Sequence, residues 1–223
     1  MREYNQTACL SINPAGKNFL LIGDSHSADL SEAFRARFKD QNINMMVATA
    51  SGCYPFIAQK GGDKLCLGLV NYALKTFLPK NADKIDGIII SANWVKTRPS
   101  SRKQLAKDLQ ATITYLEKYK IKVIVIGQSE VYTITYPVLK AKELQFNTRL
   151  INRYLRQQCY VVNNFLKQEF KPYYIEIINK KSFPELGPDH TPYMFDKDHF
   201  TPYGGELAIN KILADSIGKK FFY

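Results

Sequence analysis

The stretch Gly23-Asp24-Ser25-His26 places a serine hydroxyl directly after an apolar run. Gly23 permits a tight turn there. Ser25 would open the next helix, where backbone N–H groups lack partners and the helix dipole is positive. Both features favour a developing oxyanion beside a serine nucleophile. The plainer alternative is that Asp24 or Ser25 caps the helix. The spacing is not the G-x-S-x-G elbow of ordinary α/β-hydrolases. Nor is it a P-loop or G-x-G-x-x-G, so nucleotide binding has no support.

A serine nucleophile needs a base, and the chain has three histidines, His26, His190 and His199. His26 neighbours Ser25 on a helix start, where adjacent side chains diverge. His199 closes Asp196-Lys197-Asp198-His199. Residues three apart share one side of a turn, so Asp196 can hold the imidazole tautomer while Asp198 points elsewhere. Asp189-His190 is a weaker version of the pair. The alternative for Asp196 and His199 is a helix cap. Oxyanion donors must come from other segments: the Gly52 N–H in Ser51-Gly52-Cys53 and the Asn93 amide are candidates.

The elements that must bring these groups together alternate about five times. Apolar strands are expected at 18–23, 43–50, 85–93 and 121–127, with a weaker one at 173–178. Amphipathic helices fall between them: Leu30, Phe34 and Phe38; Leu67, Val70, Leu74 and Phe77, ended by Pro79; Leu105, Leu109, Ile113 and Leu116; then a connection with Pro137 leading to a helix from Ile151 to Leu166. A last helix carries Ile209, Ile212, Leu213 and Ile217. Continuously apolar strands indicate a sheet covered on both faces. The expected fold is α/β, a three-layer, doubly wound (flavodoxin-like) parallel sheet of about five strands over 18–223, with 1–17 a polar extension or linker. Ligands of such sheets sit at the carboxyl ends of the strands. All four candidate groups fall there or in the C-terminal loop.

Composition sets the bounds. The 223 residues are 45% hydrophobic, too rich in core-forming side chains for a disordered chain. The net charge is +11, yet no nucleic-acid-binding signature is present, so nucleic acid is not an expected partner. Five basic residues and no acidic one lie between Ser91 and Lys107, Lys96 and Arg98 among them. Near the active edge they could hold an anionic glycan, with Trp94 stacking on a sugar; an ordinary charged helix start is the alternative. No apolar run approaches a bilayer span. No signal peptide opens the chain, which fits a cytosolic protein or a piece cut from a longer secreted or tethered parent. No Cys/His cluster suggests a metal. Cys53 and Cys66 flank a Gly/Pro loop that a bridge would staple in an oxidising compartment. Cys159 lies on an apolar helix face, as a buried thiol or a partner for Cys9.

Ser25 in Gly-Asp-Ser, Gly52, Asn93, and His199 with Asp196 three residues before it resemble, in this order, the four blocks of the SGNH (GDSL-like) hydrolase superfamily. The longer stretches Gly23-Asp24-Ser25-His26, Ser51-Gly52-Cys53-Tyr54-Pro55-Phe56, Ser91-Ala92-Asn93-Trp94 and Asp196-Lys197-Asp198-His199-Phe200 are similar to a narrower group. It is the periplasmic SGNH domain fused to membrane-bound acyltransferases that O-acetylate bacterial surface polysaccharides such as lipopolysaccharide. Trp94 departs from the Asp that follows the third-block Asn in many superfamily members.

The resemblance implies an O-acetyltransferase domain with a Ser25–His199–Asp196 triad. Ser25 N–H, Gly52 N–H and the Asn93 amide would form the oxyanion hole, and no metal or organic cofactor would be required. It implies an acyl donor delivered by a membrane domain of the parent, a glycan acceptor, a periplasmic location and a Cys53–Cys66 disulfide. An esterase acting on carbohydrate or lipid would use the same residues. A non-catalytic glycan-binding module is the rival of another class.

Overall fold

The computed structural model describes residues 4–58, 63–96, 101–179 and 183–223. In chain order its elements are α1 (Gln6–Cys9), β1 (Lys17–Gly23), α2 (Ser25–Phe38), β2 (Ile43–Thr49), α3 (Lys64–Asn71), a π-helical stretch (Tyr72–Phe77), α4 (Leu78–Asn81), β3 (Gly87–Ser91), α5 (Arg102–Glu117), β4 (Lys122–Ile126), α6 (Tyr136–Phe146), α7 (Ile151–Tyr154), α8 (Gln158–Glu169), β5 (Tyr174–Ile175), α9 (Pro202–Ala214) and α10 (Ser216–Phe222). The strands form one parallel sheet in the order β2-β1-β3-β4-β5, the expected doubly wound architecture.

Period-two alternation splits each central strand between two cores. Leu20, Ile22, Ile88, Ile90, Val123 and Val125 face α3, α5 and α8. Phe19, Leu21, Ile89, Ile124 and Ile126 face α2, α9 and α10. The second core fixes the helix that carries Ser25. Phe222 stacks within 5.6 Å of Phe34 and 5.2 Å of Phe38 on α2, and 5.0 Å from Phe19 on β1. Each buried phenylalanine contributes about 1.5–3 kcal/mol.

Four expected elements come out differently, each for a local reason. The helix expected to stop at Pro79 runs on to Asn81, because the wider π turn before it relieves the proline of an i−4 hydrogen bond. The connection holding Pro137 is itself a helix, α6, with proline in its first turn and Asn147 in the left-handed region (φ 45°) ending it. The single helix expected from Ile151 to Leu166 breaks at Leu155, which forms an antiparallel bridge with Tyr132 while the Arg156 N–H donates to the Val131 carbonyl (2.8 Å). β5 has two residues instead of six, because β4 ends at Ile126 and Gln128 turns away to donate its N–H to the Tyr174 hydroxyl (3.2 Å). The polar lead-in lies on the domain: Leu10 is buried, and the Tyr4 hydroxyl donates to the Val47 carbonyl (2.7 Å).

Cys53 and Cys66 form a disulfide, 13 residues apart, with Cα atoms 5.3 Å apart. Cys9 and Cys159 are free thiols, Cys159 buried and pushed up to about 12 by that burial. Closing a loop of this length contributes about 3 kcal/mol through the unfolded state. Reduction should therefore lower Tm by about 6–12 °C for a domain of this size. Thermal unfolding with and without reductant reads this, and an unchanged Tm would contradict it.

Candidate active site

The carboxyl ends of β1, β2 and β3 are level, with Gly23 opposite both Thr49 and Ser91. The chain leaves β1 through Gly23 at φ 152°, a conformation few side chains adopt. A Cβ there would lie 1.7 Å from the Ser91 carbonyl oxygen. This close crossing sets the first turn of α2 on the end of β3. Ser27 locks it by donating its hydroxyl to the Ser91 carbonyl (2.6 Å). Asp24 is the N-cap and also a tie between strands: one oxygen accepts the His26 N–H (2.9 Å), the other the Asn93 N–H (2.8 Å). The capping role weighed for this segment falls to Asp24, which leaves the Ser25 side chain for other work.

His199 reaches Ser25 from the loop before α9. Asp196 shapes that loop as an Asx turn, one oxygen accepting the N–H of Asp198 (2.9 Å) and of His199 (2.8 Å). A Met194–Phe200 bridge closes the turn, and the Phe200 N–H donates to Asp29 of α2 (3.1 Å). The second Asp196 oxygen lies 2.8 Å from His199 Nδ1, and His199 Nε2 lies 2.8 Å from Ser25 Oγ. Nδ1 thus carries the proton and Nε2 is free to accept the serine hydroxyl's. Both distances lie within the reach required of nucleophile, base and orienter.

The charges suit this assignment. Burial alone would depress the His199 imidazolium, but the Asp196 hydrogen bond and the charges of Asp29, Asp196 and Asp198 outweigh it and raise its pKa above the usual histidine value. Asp196 is held below the usual carboxylate range: burial opposes this, yet the N–H groups of Asp198 and His199 and the imidazole prevail. Burial pushes Asp29 up to about 6.

The other candidates divide. Gly52 ends a turn closed by the Cys53 N–H on the Ala50 carbonyl (3.0 Å) and sits at φ 65°. Among the described residues no acceptor takes its N–H, nor that of Ser25. Asn93 is different. Its amide nitrogen donates to Asp198 Oδ2 (2.8 Å) and lies against His26 Nε2 (2.9 Å), so the amide is already engaged. His190 stands apart from this cluster, exposed at φ 62°, and the Asp189 carboxylate holds Thr191 instead of the imidazole.

Two acceptor-side expectations need correction. Trp94 offers no face to a sugar: it is 1% exposed, packs on Phe56 and donates its indole N–H to the Ile126 carbonyl (2.9 Å). Directly after β3, its long side chain folds back over the end of β4. Lys96 reaches solvent along its stem but places its ammonium on Asp198 Oδ2. Arg98 lies outside the described residues. Asp198 is the residue whose role the spacing conceals. It points into the protein, 3% exposed, toward Lys96, Asn93 and His26.

His26, Asp198 and His199 bring possible metal-ligand atoms within 4.8 Å of one another. The Lys96 ammonium and the Asn93 amide already donate to Asp198 Oδ2, so the cluster's carboxylate is taken by donors and the set does not fit a metal ion. Among the described residues no helix is long and apolar enough to cross a membrane.

Solved structures share this fold. The periplasmic domain of a lipopolysaccharide acetyltransferase from Salmonella ser. Paratyphi A superposes over 94% of this chain and 88% of its own, with TM-score 0.73 and 18% identity. A putative acylhydrolase from Bacteroides fragilis covers 97% of this chain and 94% of its own (TM-score 0.59, 15% identity). A family two carbohydrate esterase from Clostridium thermocellum covers 95% of this chain and 66% of its own (TM-score 0.51, 13% identity). No curated protein sequence matches the chain. At such identities the likeness is one of fold; membership rests on the sequence itself, whose residues 2–214 match the model of the SGNH domain fused to AT3 domains, and the chain belongs to that family.

Proposed function

We propose that this domain is a serine-dependent O-acetyltransferase that modifies a bacterial surface glycan in the periplasm, supplied with acyl groups by an AT3 membrane domain of the same protein. The reading is carried by the Ser25–His199–Asp196 chain, with links of 2.8 Å and 2.8 Å. The family and the Salmonella acetyltransferase likeness support the acyl group and the setting.

Ser25 Oγ attacks the acyl carbonyl as its proton passes to His199 Nε2. Asp196 holds the imidazolium. The N–H groups of Ser25 and Gly52 receive the oxyanion, and Asn93 joins them only by giving up a present acceptor. Collapse of the tetrahedral intermediate expels the donor's leaving group, which takes the proton from His199. A sugar hydroxyl then attacks the acyl-Ser25 carbonyl as His199 takes its proton, and collapse of the second tetrahedral intermediate releases the sugar ester while His199 returns that proton to Ser25 Oγ. Because the base must start neutral, acylation falls as pH drops through the raised His199 pKa.

With Trp94 buried, the aromatic that can serve as a sugar platform is Phe195. Its side chain is 55% exposed, and its ring lies 5.6 Å from His199, within 18° of parallel. A sugar stacked on the open face of this ring is taken to gain about as much as an aromatic pair, about 0.5–1.5 kcal/mol. Phe195→Ala should raise the acceptor KM about two- to twelvefold. An unchanged KM would remove Phe195 from the acceptor site.

Product analysis tests the function. The protein is incubated with p-nitrophenyl acetate and a panel of methyl glycosides and surface-polysaccharide oligosaccharides. Acetyl ester on a glycan supports transfer. Free acetate alone, with acetyl-Ser25 formed, makes the domain an esterase. No acylation of Ser25 leaves the glycan-binding module.

A further inference from the structure

We infer that Asp198 is a second carboxylate serving His199, a positioning residue held beside the imidazole by Lys96, Asn93 and His26; the inference rests on the Ser25–His199 reading above. The two oxygens of Asp198 do different work. Oδ2 accepts from the Lys96 ammonium and the Asn93 amide (2.8 Å), with His26 Nε2 at 3.6 Å. Oδ1 faces the other way, 3.4 Å from His199 Nδ1. His26 is itself fixed, its Nδ1 lying 3.2 Å from the Ser129 hydroxyl. The carboxylate therefore has little freedom to turn.

The two aspartates differ in their surroundings. Asp196 makes the hydrogen bond to Nδ1 but is 34% exposed, whereas Asp198 is 3% exposed. Water screens the first charge, and charges interact more strongly in a low-dielectric interior. Asp196 thus sets the tautomer. Asp198 adds a buried negative charge that favours the imidazolium formed when Ser25 gives up its proton. Lys96, about half exposed, offsets part of that charge from the far side. Among the described residues, the other charged or titratable groups facing His199 are Asp29 and His26, both from α2. Consistent with this geometry, Asp198 is held well below the usual carboxylate range: burial opposes ionisation, but His26 and Lys96 outweigh it.

A purely structural Asp198 and a charge-setting one differ in a measurable sign. Asp198→Asn keeps the shape and an acceptor for Asn93 but deletes the charge. Lys96→Met deletes the offsetting cation and leaves the charge. The readout is an NMR titration of the three histidine rings, with His190→Gln and His199→Gln assigning the signals. Asp198→Asn should lower the His199 midpoint by about one pH unit, a tenfold loss in proton affinity. Lys96→Met should raise it by about half a unit. The acid limb of p-nitrophenyl acetate turnover should move in the same directions. An unmoved midpoint in Asp198→Asn, or a shift of the same sign in both variants, overturns the inference. Should Asp198→Asn fail to fold, the Lys96→Met shift decides alone, since its side chain is at the surface. The titration requires no turnover. Opposite shifts in a protein that never acetylates Ser25 would uphold the Asp198 role and sink the acyltransfer reading instead.

Discussion

Ser25→Ala and His199→Ala are each expected to lower p-nitrophenyl acetate turnover by about 10⁴–10⁶-fold, and the double variant by no more than the worse single one. The reason is that Ser25 Oγ and His199 Nε2, 2.8 Å apart, act as one unit. Removing either atom leaves the other with nothing to do. What survives is the background from binding and from the oxyanion donors. Asp196→Asn should cost about 10⁴-fold, because an amide at that position favours the wrong imidazole tautomer. Steady-state rates for the four variants check this. Losses that multiply in the double variant would mean that the two residues act separately, and the proposed relay would be wrong.

The second large effect is structural. Gly23→Ala is expected to destabilise the domain by about 4 kcal/mol, in the range kept for the most disruptive single substitutions. Two costs coincide: a backbone at φ 152° that alanine resists, and a Cβ 1.7 Å from the Ser91 carbonyl oxygen. The nearest atom is backbone on a central strand, so it cannot move aside cheaply. Tm should fall by about 8–16 °C for a chain of this length. The same clash would lift the first turn of α2 off β3 and displace Ser25, so residual folded protein should also lose acylation. Thermal unfolding followed by circular dichroism, with turnover measured on the folded fraction, checks both. A Tm within 2 °C of wild type would contradict the close crossing.

These sites were unequally legible in the sequence. The sheet was readable because buried parallel strands leave largely apolar runs, and the runs at 18–23, 43–50, 85–93 and 121–127 contain or overlap the four strands at 17–23, 43–49, 87–91 and 122–126. Ser25, Asp196 and His199 were readable because local rules place them: a glycine turn after a strand, and a three-residue spacing that lets a carboxylate reach an imidazole. Long-range geometry was not readable. The break at Leu155 depends on its bridge to Tyr132, which no local periodicity announces. Trp94 looked like an exposed aromatic at the active edge, yet its indole N–H finds a carbonyl on the next strand. Asp198, one residue from the base, is hidden in the sequence because neighbours in a turn point apart. It does point away from Asp196, into a pocket built by segments about 100 to 170 residues distant. Phe195 carried only the weak signal of a large aromatic beside the Asp-x-x-His turn. The Cys53–Cys66 bond was foreshadowed by the loop between the two cysteines and by the family resemblance.

The central claim is that Ser25 becomes acylated with His199 as its base. The direct measurement is peptide mass spectrometry after brief incubation of the purified protein with p-nitrophenyl acetate. A gain of one acetyl group on the peptide containing Ser25, absent in Ser25→Ala and lost in His199→Ala, is the expected result. An acetyl group on any other residue, or an unmodified Ser25 while p-nitrophenol is released, would contradict it.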